Sequence, residues 1–352
     1  KELGLPLQDD FLLVAKEVYF KDPSQYNHFK RVFDYQNSLS KMKNFLSYPL
    51  INLEHLFNSL EMDIFYSNRE ELINLKTDFL KLIIDVLKEL TPNPFFNDTV
   101  GHLKFNPQYN SYLKFLNLFI KDDKKLHYID IHKDTIISFN YDLVFEATAS
   151  LYNWNRRNKK QPHITEYELL RLNITFGKEN ISIKDLSDFF TGGIIEDRFQ
   201  TNALSIDTEQ SIKLIKLHGS INWQGYSSNE SFIIPPTWNK SDIRVRKLWE
   251  AAYNELKEAK RIIILGYSLP QTDTYVESLL ALALNENKIL QNIFFINPDN
   301  DRVKSRCVSL LDKYFMKHCE YKEWTFNEFM NSPDGEKFIE KKLNRYVHNI
   351  VL

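Results

Sequence analysis

Thr135-Ile136-Ile137-Ser138-Phe139-Asn140-Tyr141-Asp142 is the most informative part of this sequence. Its first half is rich in β-branched side chains, its second half is a polar turn, and three apolar residues (143–145) come next. That order predicts a buried strand, a short loop and the start of a helix. Because side chains at the carboxyl end of a strand in an open parallel sheet face the ligand crevice, Asn140 and Asp142 are well placed to hold a ligand. The alternative is structural: Asp142 would cap the helix and Asn140 would satisfy the turn.

Further predicted strands alternate with helical segments through the rest of the chain. The complete set is Thr135–Phe139, Leu172–Phe176, Ile212–Leu217, Phe232–Ile234, Arg261–Leu265 and Ile293–Ile296. The last two are short apolar runs bounded by turn residues, which is typical of fully buried parallel strands. Strand–helix–strand units of this kind indicate a doubly wound α/β fold. We predict this domain over residues 131–150 and 207–325, with residues 151–206 as an insertion at the edge of the sheet.

The first third of the chain has helical periodicity and no convincing strand. The apolar residues that recur there at spacings of three, four or seven are Leu72, Phe79, Ile83, Val86 and Leu90. Such spacing is typical of a helix with one buried face. We therefore predict a large helical subdomain over residues 21–130, preceded by the start of the α/β domain over residues 1–20. Residues 326–352 are predicted to form a C-terminal helix.

Composition and charge exclude several classes of protein. Of the 352 residues, 43% are hydrophobic and 26% are charged, which excludes wholesale disorder. A net charge of −2 provides no basic surface for nucleic acid, and no apolar run approaches the roughly 20 residues of a membrane helix. Two cysteines, Cys307 and Cys319, are too few for a disulfide framework or a four-cysteine zinc site. We therefore expect a cytoplasmic protein without a metal site.

Three other predicted strands also end in residues that suit a ligand. His218 and Gly219 follow one strand, Gly266 and Ser268 follow another, and Asn297 follows a third. A single histidine after a strand is more often a hydrogen-bonded core residue than a catalyst. The carboxyl ends of parallel strands share one edge of a sheet, however, so all these residues are expected to gather with the first asparagine around one hollow. The pattern therefore predicts a nucleotide site.

These motifs resemble those of sirtuins. Ser138-Phe139-Asn140-Tyr141-Asp142 resembles the sirtuin Thr-Gln-Asn-Ile-Asp motif, and His218-Gly219-Ser220 looks like the sirtuin catalytic His-Gly motif. Gly266-Tyr267-Ser268-Leu269 resembles the Gly-Thr-Ser-Leu motif that lines the NAD phosphates and ribose. Ile296-Asn297 is similar to the Ile-Asn pair that holds the adenosine ribose. The resemblance implies a sirtuin-like, Rossmann-like parallel sheet that binds NAD.

The opening of the chain resembles the end of another sirtuin motif. In sirtuins Gly-Ala-Gly-x-Ser is followed by three residues and then by Gly-Ile-Pro, and here Gly4-Leu5-Pro6 follows three residues. Lys1 would then come directly after the serine of that motif. The first strand and its glycine-rich loop are therefore expected upstream of residue 1.

A finer resemblance is to the sirtuin-like domains of bacterial anti-phage defence proteins. It rests on Phe-Asn-Tyr-Asp (139–142), Leu-His-Gly-Ser-Ile-Asn-Trp (217–223) and Gly-Tyr-Ser-Leu-Pro-Gln-Thr-Asp (266–273). The four-cysteine zinc module of deacylating sirtuins is absent, and so are recognisable acyl-peptide groove residues after the His-Gly motif. The resemblance therefore implies hydrolysis of NAD to nicotinamide and ADP-ribose. The alternatives are an NAD-dependent protein deacylase and a non-catalytic module that binds NAD or ADP-ribose.

The implied catalytic residues are Asn140, His218 and Asp142. A neutral Asn140 can donate and accept hydrogen bonds at once, and so orient a ribose hydroxyl and the attacking water. His218 can take a proton near neutral pH, and Asp142 would orient the ribose or stabilise developing positive charge. The residues implied to bind NAD are Gly4, Leu5, Pro6, Phe139, Gly266, Tyr267, Ser268 and Asn297.

The resemblance also implies a biological setting, the abortive-infection response to phage. Constitutive hydrolysis would deplete the NAD of the host, so activity is expected to be gated by assembly or by a partner. We expect a homo-oligomer, and the implied partners are a HerA-type ATPase, a short Argonaute or a phage protein that acts as the trigger. Direct binding to nucleic acid or to a membrane is not expected.

Overall fold

The computed structural model describes residues 10–41, 53–97, 99, 103–123, 128–131, 134–158, 171–176, 179–183, 211–225, 228–234, 243–270, 273–311, 313–342 and 349–351. The chain divides into two compact units. The helical unit comprises Lys1–Pro92, Asn140–Leu143 and His218–Lys240. The sheet unit comprises Asn93–Phe139, Val144–Leu217 and Ser241–Leu352.

Helices and strands both contribute to the fold, which is mixed α/β with a large helical part. The helices are α1 (Phe11–Lys21), α2 (Asn27–Lys41), α3 (Leu53–Ser67), α4 (Glu70–Leu90), α5 (Asn110–Leu116), α6 (Val144–Asn158), α7 (Ile243–Glu258), α8 (Thr274–Glu286), α9 (Asn300–Leu310), α10 (Lys313–Met316), α11 (Phe326–Asn331) and α12 (Pro333–Lys342). The strands are β1 (Phe95–Asn97), β2 (Leu103–Phe105), β3 (Ile120–Asp123), β4 (Tyr128–Ile131), β5 (Thr135–Ser138), β6 (Arg171–Phe176), β7 (Glu179–Ile183), β8 (Ser211–Lys216), β9 (Gly219–Gly225), β10 (Ser228–Ile233), β11 (Arg261–Leu265), β12 (Asn292–Ile296), β13 (Cys319–Lys322) and β14 (Asn349–Val351).

The sheet unit is built on a sheet with the strand order β13-β12-β11-β14-β5-β8-β6-β7. Neighbouring strands in this sheet run parallel, except for β6 and β7, which pair antiparallel at one edge. The middle residues of β11 and most of β12 are buried. Continuous apolar runs form these strands because both faces of a parallel strand are normally covered. The carboxyl ends of the parallel strands therefore share one edge.

The strand predictions from the apolar runs were largely confirmed. β11 coincides with its predicted range, and the ends of β5, β8 and β12 differ from their predicted ranges by one residue. One assignment was confirmed only in part. The predicted strand Phe232–Ile234 overlaps β10, which pairs with β9 in a separate antiparallel hairpin of the helical unit.

Two other predictions were also confirmed only in part. The predicted helical region 21–130 contains the hairpin strands β1 and β2 and most of the β3–β4 pair. The predicted C-terminal helix is instead two helices, α11 and α12, and a strand, β14, that pairs with β11 and β5. These strands have three or four residues each, too few for an alternating pattern to show, and their partners are not local in the case of β14.

Apolar packing around α4 forms the core of the helical unit. α4 packs against α1, α2 and α3, and it also contacts β9. The rings of Phe57 on α3 and Phe79 on α4 are stacked with centroids 4.9 Å apart, and both side chains are almost completely buried. Glu70 and Glu71 in the first turn of α4 and Lys88 in its last turn complement the helix dipole.

Candidate active site

The candidate catalytic residues follow two neighbouring parallel strands. Ser138 at the end of β5 pairs with Lys216 at the end of β8, and the backbone N–H of Leu217 donates to the carbonyl of Ser138 at 3.0 Å. Beyond this hydrogen bond the chain passes into the helical unit, at Asn140 in one case and at His218 in the other. The two candidates therefore emerge from adjacent strand ends.

Tyr141, which the sequence analysis did not single out, connects both segments inside the helical unit. Its carbonyl accepts hydrogen bonds from the N–H of Ile221 at 3.0 Å and from the hydroxyl of Ser220 at 3.3 Å. Its hydroxyl donates to the carbonyl of Ile234 at 2.7 Å, and the N–H of Ile234 donates to the carbonyl of His218 at 2.8 Å. The rings of Tyr141 and His218 are 6.0 Å apart. Tyr141 thus holds the segment that follows His218 and also Ile234, which is itself hydrogen-bonded to His218.

The three implied catalytic residues differ in exposure. His218 is 8% exposed, Asp142 is half-buried and Asn140 is exposed. Gly219 has a φ of 79°, a left-handed conformation that lets the chain turn directly after His218. α6 begins at Val144, two residues after Asp142. Asn140 is therefore the accessible member of the set, and His218 is the one most sheltered from bulk water.

The loop after β11 has a backbone shape that few residues tolerate. Gly266 has a φ of 73° and Leu269 a φ of 50°, so both lie in the left-handed region. The N–H of Gly266 donates to the carbonyl of Ile296 at 2.9 Å, which ties the loop to the end of β12. The ring of Tyr267 stacks on that of Phe139 with centroids 4.4 Å apart. Three of the predicted NAD-binding residues, from the ends of β5 and β11, therefore lie together.

Two charged residues anchor this loop: Asp273, the last residue of the 266–273 motif, and Arg306, which the sequence analysis did not identify. The hydroxyl of Tyr267 donates to Oδ2 of Asp273 at 2.8 Å, directly before α8. Nε of Arg306 on α9 donates to the carbonyl of Leu269 at 3.0 Å, and its guanidinium also forms an ion pair with Glu277. These contacts hold the left-handed Leu269 in place. No local pattern reveals the contact of Arg306, because this residue lies more than thirty residues downstream of the loop it anchors.

Asn297 at the end of β12 has a structural partner. Its side chain is 5% exposed, and its Oδ1 accepts from the N–H of Asp299 at 2.8 Å. Asp299 in turn caps α9, because its Oδ1 accepts from the N–H of Arg302 at 3.2 Å. The N–H of Asn297 donates to the carbonyl of Lys322 at 3.1 Å. The side chain of Asn297 therefore helps to form the turn that starts α9.

A buried ion pair lies at the end of β8. Nζ of Lys216 is 2.9 Å from Oε1 of Glu146 in the first turn of α6, and the two side chains are 2% and 1% exposed. Lys213 on the same strand is more exposed and pairs with Glu255. In the sequence, Lys213 and Lys216 look alike, as polar residues among the apolar residues of one strand. Only the structure distinguishes the buried lysine from the accessible one.

The predicted site residues fall into two groups. In the sheet unit, the residues that follow the ends of β5, β11 and β12 are Phe139, Gly266, Tyr267, Ser268 and Asn297. In the helical unit are Asn140, Asp142 and His218. Gly4, Leu5 and Pro6 lie outside the described residues. That all of these surround one hollow stays a prediction.

Other features of the sheet unit do not resemble a nucleotide site. A cavity of about 20 Å³, enough for roughly one water molecule, lies among apolar side chains of β11, β12 and α8. Burial raises the pKa of Cys307 to about 11 and that of Cys319 to about 12. Within the described ranges, no three His, Cys, Asp or Glu side chains are grouped as metal ligands would be. No helix in the described part of the chain has the length and apolarity to cross a bilayer.

No model of a protein family matches the chain, and no curated protein matches it. A function must therefore be argued from the residues of this chain and from their arrangement.

Proposed function

We propose that the chain is an NAD hydrolase, with a sirtuin-like, doubly wound Rossmann-like sheet, that cleaves NAD to nicotinamide and ADP-ribose. The order of the strand ends carries the proposal. β12, β11, β5 and β8 run parallel in one sheet. Within two residues of their carboxyl ends come Asn297, Gly266, Asn140 and His218 respectively. Ligands of open α/β sheets bind outside the carboxyl ends of the strands, which is the edge that these residues follow.

The loop after β11 has features that suit a pyrophosphate. Gly266 is exposed and has no side chain, so a phosphate can approach its backbone closely. Ser268 supplies a hydroxyl, and α8 begins at Thr274, a few residues beyond. The amino end of a helix attracts anions through its free N–H groups and its dipole. In this proposal Asn297 contributes to the site of the adenosine ribose, and the Phe139–Tyr267 stack lies beside the phosphate loop.

The chemistry requires few groups. The bond between the nicotinamide ring nitrogen and ribose C1′ breaks, and nicotinamide leaves with the bonding electrons, which neutralise its positive ring. The oxygen of a water molecule bonds to C1′, and the proton that this water loses passes to His218. Asn140 orients a ribose hydroxyl and the water by donating and accepting at once. Asp142 orients the ribose or stabilises the positive charge that develops on it.

The biological setting is a further part of the proposal and rests on the sequence resemblance alone. The protein would act in the cytoplasm as the effector of an anti-phage, abortive-infection system. Uncontrolled hydrolysis would harm the host, so a homo-oligomer or a partner would gate the activity. A HerA-type ATPase, a short Argonaute or a phage trigger protein are the partners in keeping with that resemblance.

The test is nicotinamide release from NAD by the full chain, followed by chromatography. We expect Asn140→Ala and His218→Ala each to lower the rate at least about a hundredfold, because loss of orientation at the reacting atoms costs about that much and a general base typically contributes roughly 10²- to 10⁴-fold. Asn285→Ala and His318→Ala are matched controls, since Asn285 is exposed, His318 is half-buried, and neither residue follows the strand ends. These controls should keep the wild-type rate, and circular dichroism should show all four variants folded.

Other outcomes would point to the alternatives. Release that requires an acylated lysine peptide would identify a deacylase. Binding of NAD by the wild-type chain without any nicotinamide release would identify a non-catalytic binding module. Wild-type turnover in both Asn140→Ala and His218→Ala would refute the assignment of these residues.

A further inference from the structure

The buried ion pair between Lys216 and Glu146 is located where the chain passes from one unit to the other. Lys216 is the last residue of β8, and the next residue but one is His218. Glu146 lies in the first turn of α6, six residues after Asn140. The pair therefore connects the segment of the sheet unit that precedes His218 with the segment that follows Asn140 and Asp142.

Stability alone does not account for a buried ion pair. Removing two charges from water costs several kcal/mol per ion, and apolar residues of similar size at such positions often give equal or greater stability. The other ion pairs described in the sheet unit are more exposed, from Arg306 and Glu277 at 17% and 20% to pairs that lie in solvent. The side chains of Lys257 and Glu286, for example, are 42% and 50% exposed. An ion pair that is almost fully buried at the strand ends therefore suggests a positional role.

The geometry around the pair fits that role. The N–H of Leu217 donates to the carbonyl of Ser138, so β5 and β8 are also joined at their last residues. The chain enters the helical unit at Asn140, returns at Val144 and enters it again at His218. Two constraints in the sheet unit, one hydrogen bond and one ion pair, thus lie next to three of the five points at which the chain crosses between units. A charged pair defines a distance and an orientation more narrowly than apolar contact does.

We propose that the Lys216–Glu146 pair is a positioning device that sets the placement of Asn140 and His218 for catalysis. This inference rests on the proposed hydrolysis of NAD. Both side chains are buried, so they act through the residues that emerge from the strand ends. Their loss should therefore lower the rate of the chemical step more than the affinity for NAD. Misplacement of a catalytic group by about 1 Å can lower a rate about a hundredfold.

The main test is the double variant Lys216→Met/Glu146→Leu, which replaces the pair by apolar side chains of similar size. We expect a urea midpoint at or above that of the wild type, a kcat for nicotinamide release at least about tenfold lower, and a KM for NAD within about twofold. Lys257→Met/Glu286→Leu is the matched control, because it removes an exposed pair from the same unit. The control should change neither kcat nor KM.

A second variant covers the case in which the double variant fails to fold. Glu146→Asp keeps both charges but withdraws the carboxylate by one methylene. It should remain folded and lower kcat about tenfold, because a shift of about one bond length at the pair displaces the residues that follow it. If either folded variant of this pair keeps the wild-type kcat and KM, the positioning role is wrong.

A spectroscopic measurement separates failure of this inference from failure of the proposed function. The imidazole proton resonance of His218 is assigned by its loss in His218→Ala and is observed without NAD. We expect one resonance in the wild type and a broadened or split resonance in Lys216→Met/Glu146→Leu. If the wild type releases no nicotinamide, the proposed function fails, and this resonance still decides the inference. An unchanged resonance in the folded double variant would overturn it.

Discussion

The helical unit and the sheet unit place their ion pairs differently. In the pairs described in the helical unit at least one partner reaches solvent: Arg31, which pairs with Asp78, is 60% exposed, Lys76, which pairs with Glu61, is 37% exposed, and Asp85, which lies beside the buried His28, is 23% exposed. In the sheet unit, Lys216 and Glu146 are both almost fully buried. Apolar packing is enough to explain the first arrangement. The second costs stability, and so it points to a role in the site.

Their aromatic residues show the same difference. Phe57 and Phe79 form a stacked pair in the core of the helical unit. Phe139 and Tyr267 also stack, but they are half-buried and follow two strand ends at the proposed nucleotide site. The comparison teaches that the helical core is a scaffold, whereas the strand ends of the sheet unit hold side chains in positions that packing alone does not require. Three predictions test this contrast.

The largest effect is expected from the helical core. Phe79→Ala removes a fully buried ring that stacks on Phe57, and it should lower the free energy of unfolding by about 3–5 kcal/mol. Phe65→Ala on α3 is the control, because that side chain is 77% exposed, and it should change stability by less than about 0.5 kcal/mol. Urea unfolding followed by circular dichroism measures both. Equal effects would show that the helical unit does not depend on this core.

A smaller effect is expected from a close backbone contact in the sheet unit. A methyl group on Gly335 would lie 2.2 Å from the carbonyl oxygen of Phe329 and 2.7 Å from that of Glu328. Backbone atoms cannot move aside as a flexible side chain can, so Gly335→Ala should lower stability by about 1–3 kcal/mol.

The control for this substitution is Lys337→Ala, two residues further along α12, where the side chain is exposed. Thermal unfolding of both variants provides the comparison. If Gly335→Ala has the same melting temperature as the wild type, the close contact between α12 and the backbone of α11 is wrong. The sheet unit would then be less tightly packed at this contact than in its strands.

The smallest expected effect is a loss of stability at alkaline pH, which is absent at neutral pH. Burial raises the pKa of Cys307 to about 11 and that of Cys319 to about 12, from an ordinary value of 9.0. Between about pH 9 and the raised pKa of each thiol, the unfolded chain loses thiol protons that the folded chain keeps. The stability that these thiols contribute is therefore fully present below about pH 9 and is lost as the pH rises through about 11.

The measurement is the urea midpoint at a series of pH values from about 7 to about 11. Cys307→Ala/Cys319→Ala should lose less stability over the alkaline part of this range than the wild type loses. Burial also raises the pKa of Tyr321, so both proteins should lose some stability as the pH rises. Parallel curves for the two proteins would show that the thiols of the folded chain titrate as freely as those of the unfolded chain.

Local pattern was sufficient for the central strands. β11 has its predicted bounds because a short run of isoleucine and leucine between turn residues is typical of a fully buried parallel strand. Residues 349–351 were predicted as helix and form β14 instead. A strand of three residues has too short a pattern to be recognised, and β14 is defined by pairing with β11 and β5, which lie far away in the chain.

The candidate site shows the same division. Asn140, His218, Gly266 and Asn297 could be selected from the residues alone, because polar residues at the ends of predicted parallel strands belong to one edge of a sheet. Tyr141 and Arg306 could not, since each acts through a hydrogen bond to the backbone of a distant segment. Such bonds leave no periodic signal in the sequence.

Amino-acid order alone therefore specified the apolar strands, the turns that follow them and the kinds of side chain at their ends. These are local properties, set by the alternation of apolar runs and turn residues over a few positions. Tertiary structure decided which of two similar lysines is buried against Glu146, which tyrosine holds the histidine segment, and where β14 enters the sheet. Each of these features depends on burial and on contacts with residues distant in the chain. Burial and such contacts arise only when the units fold.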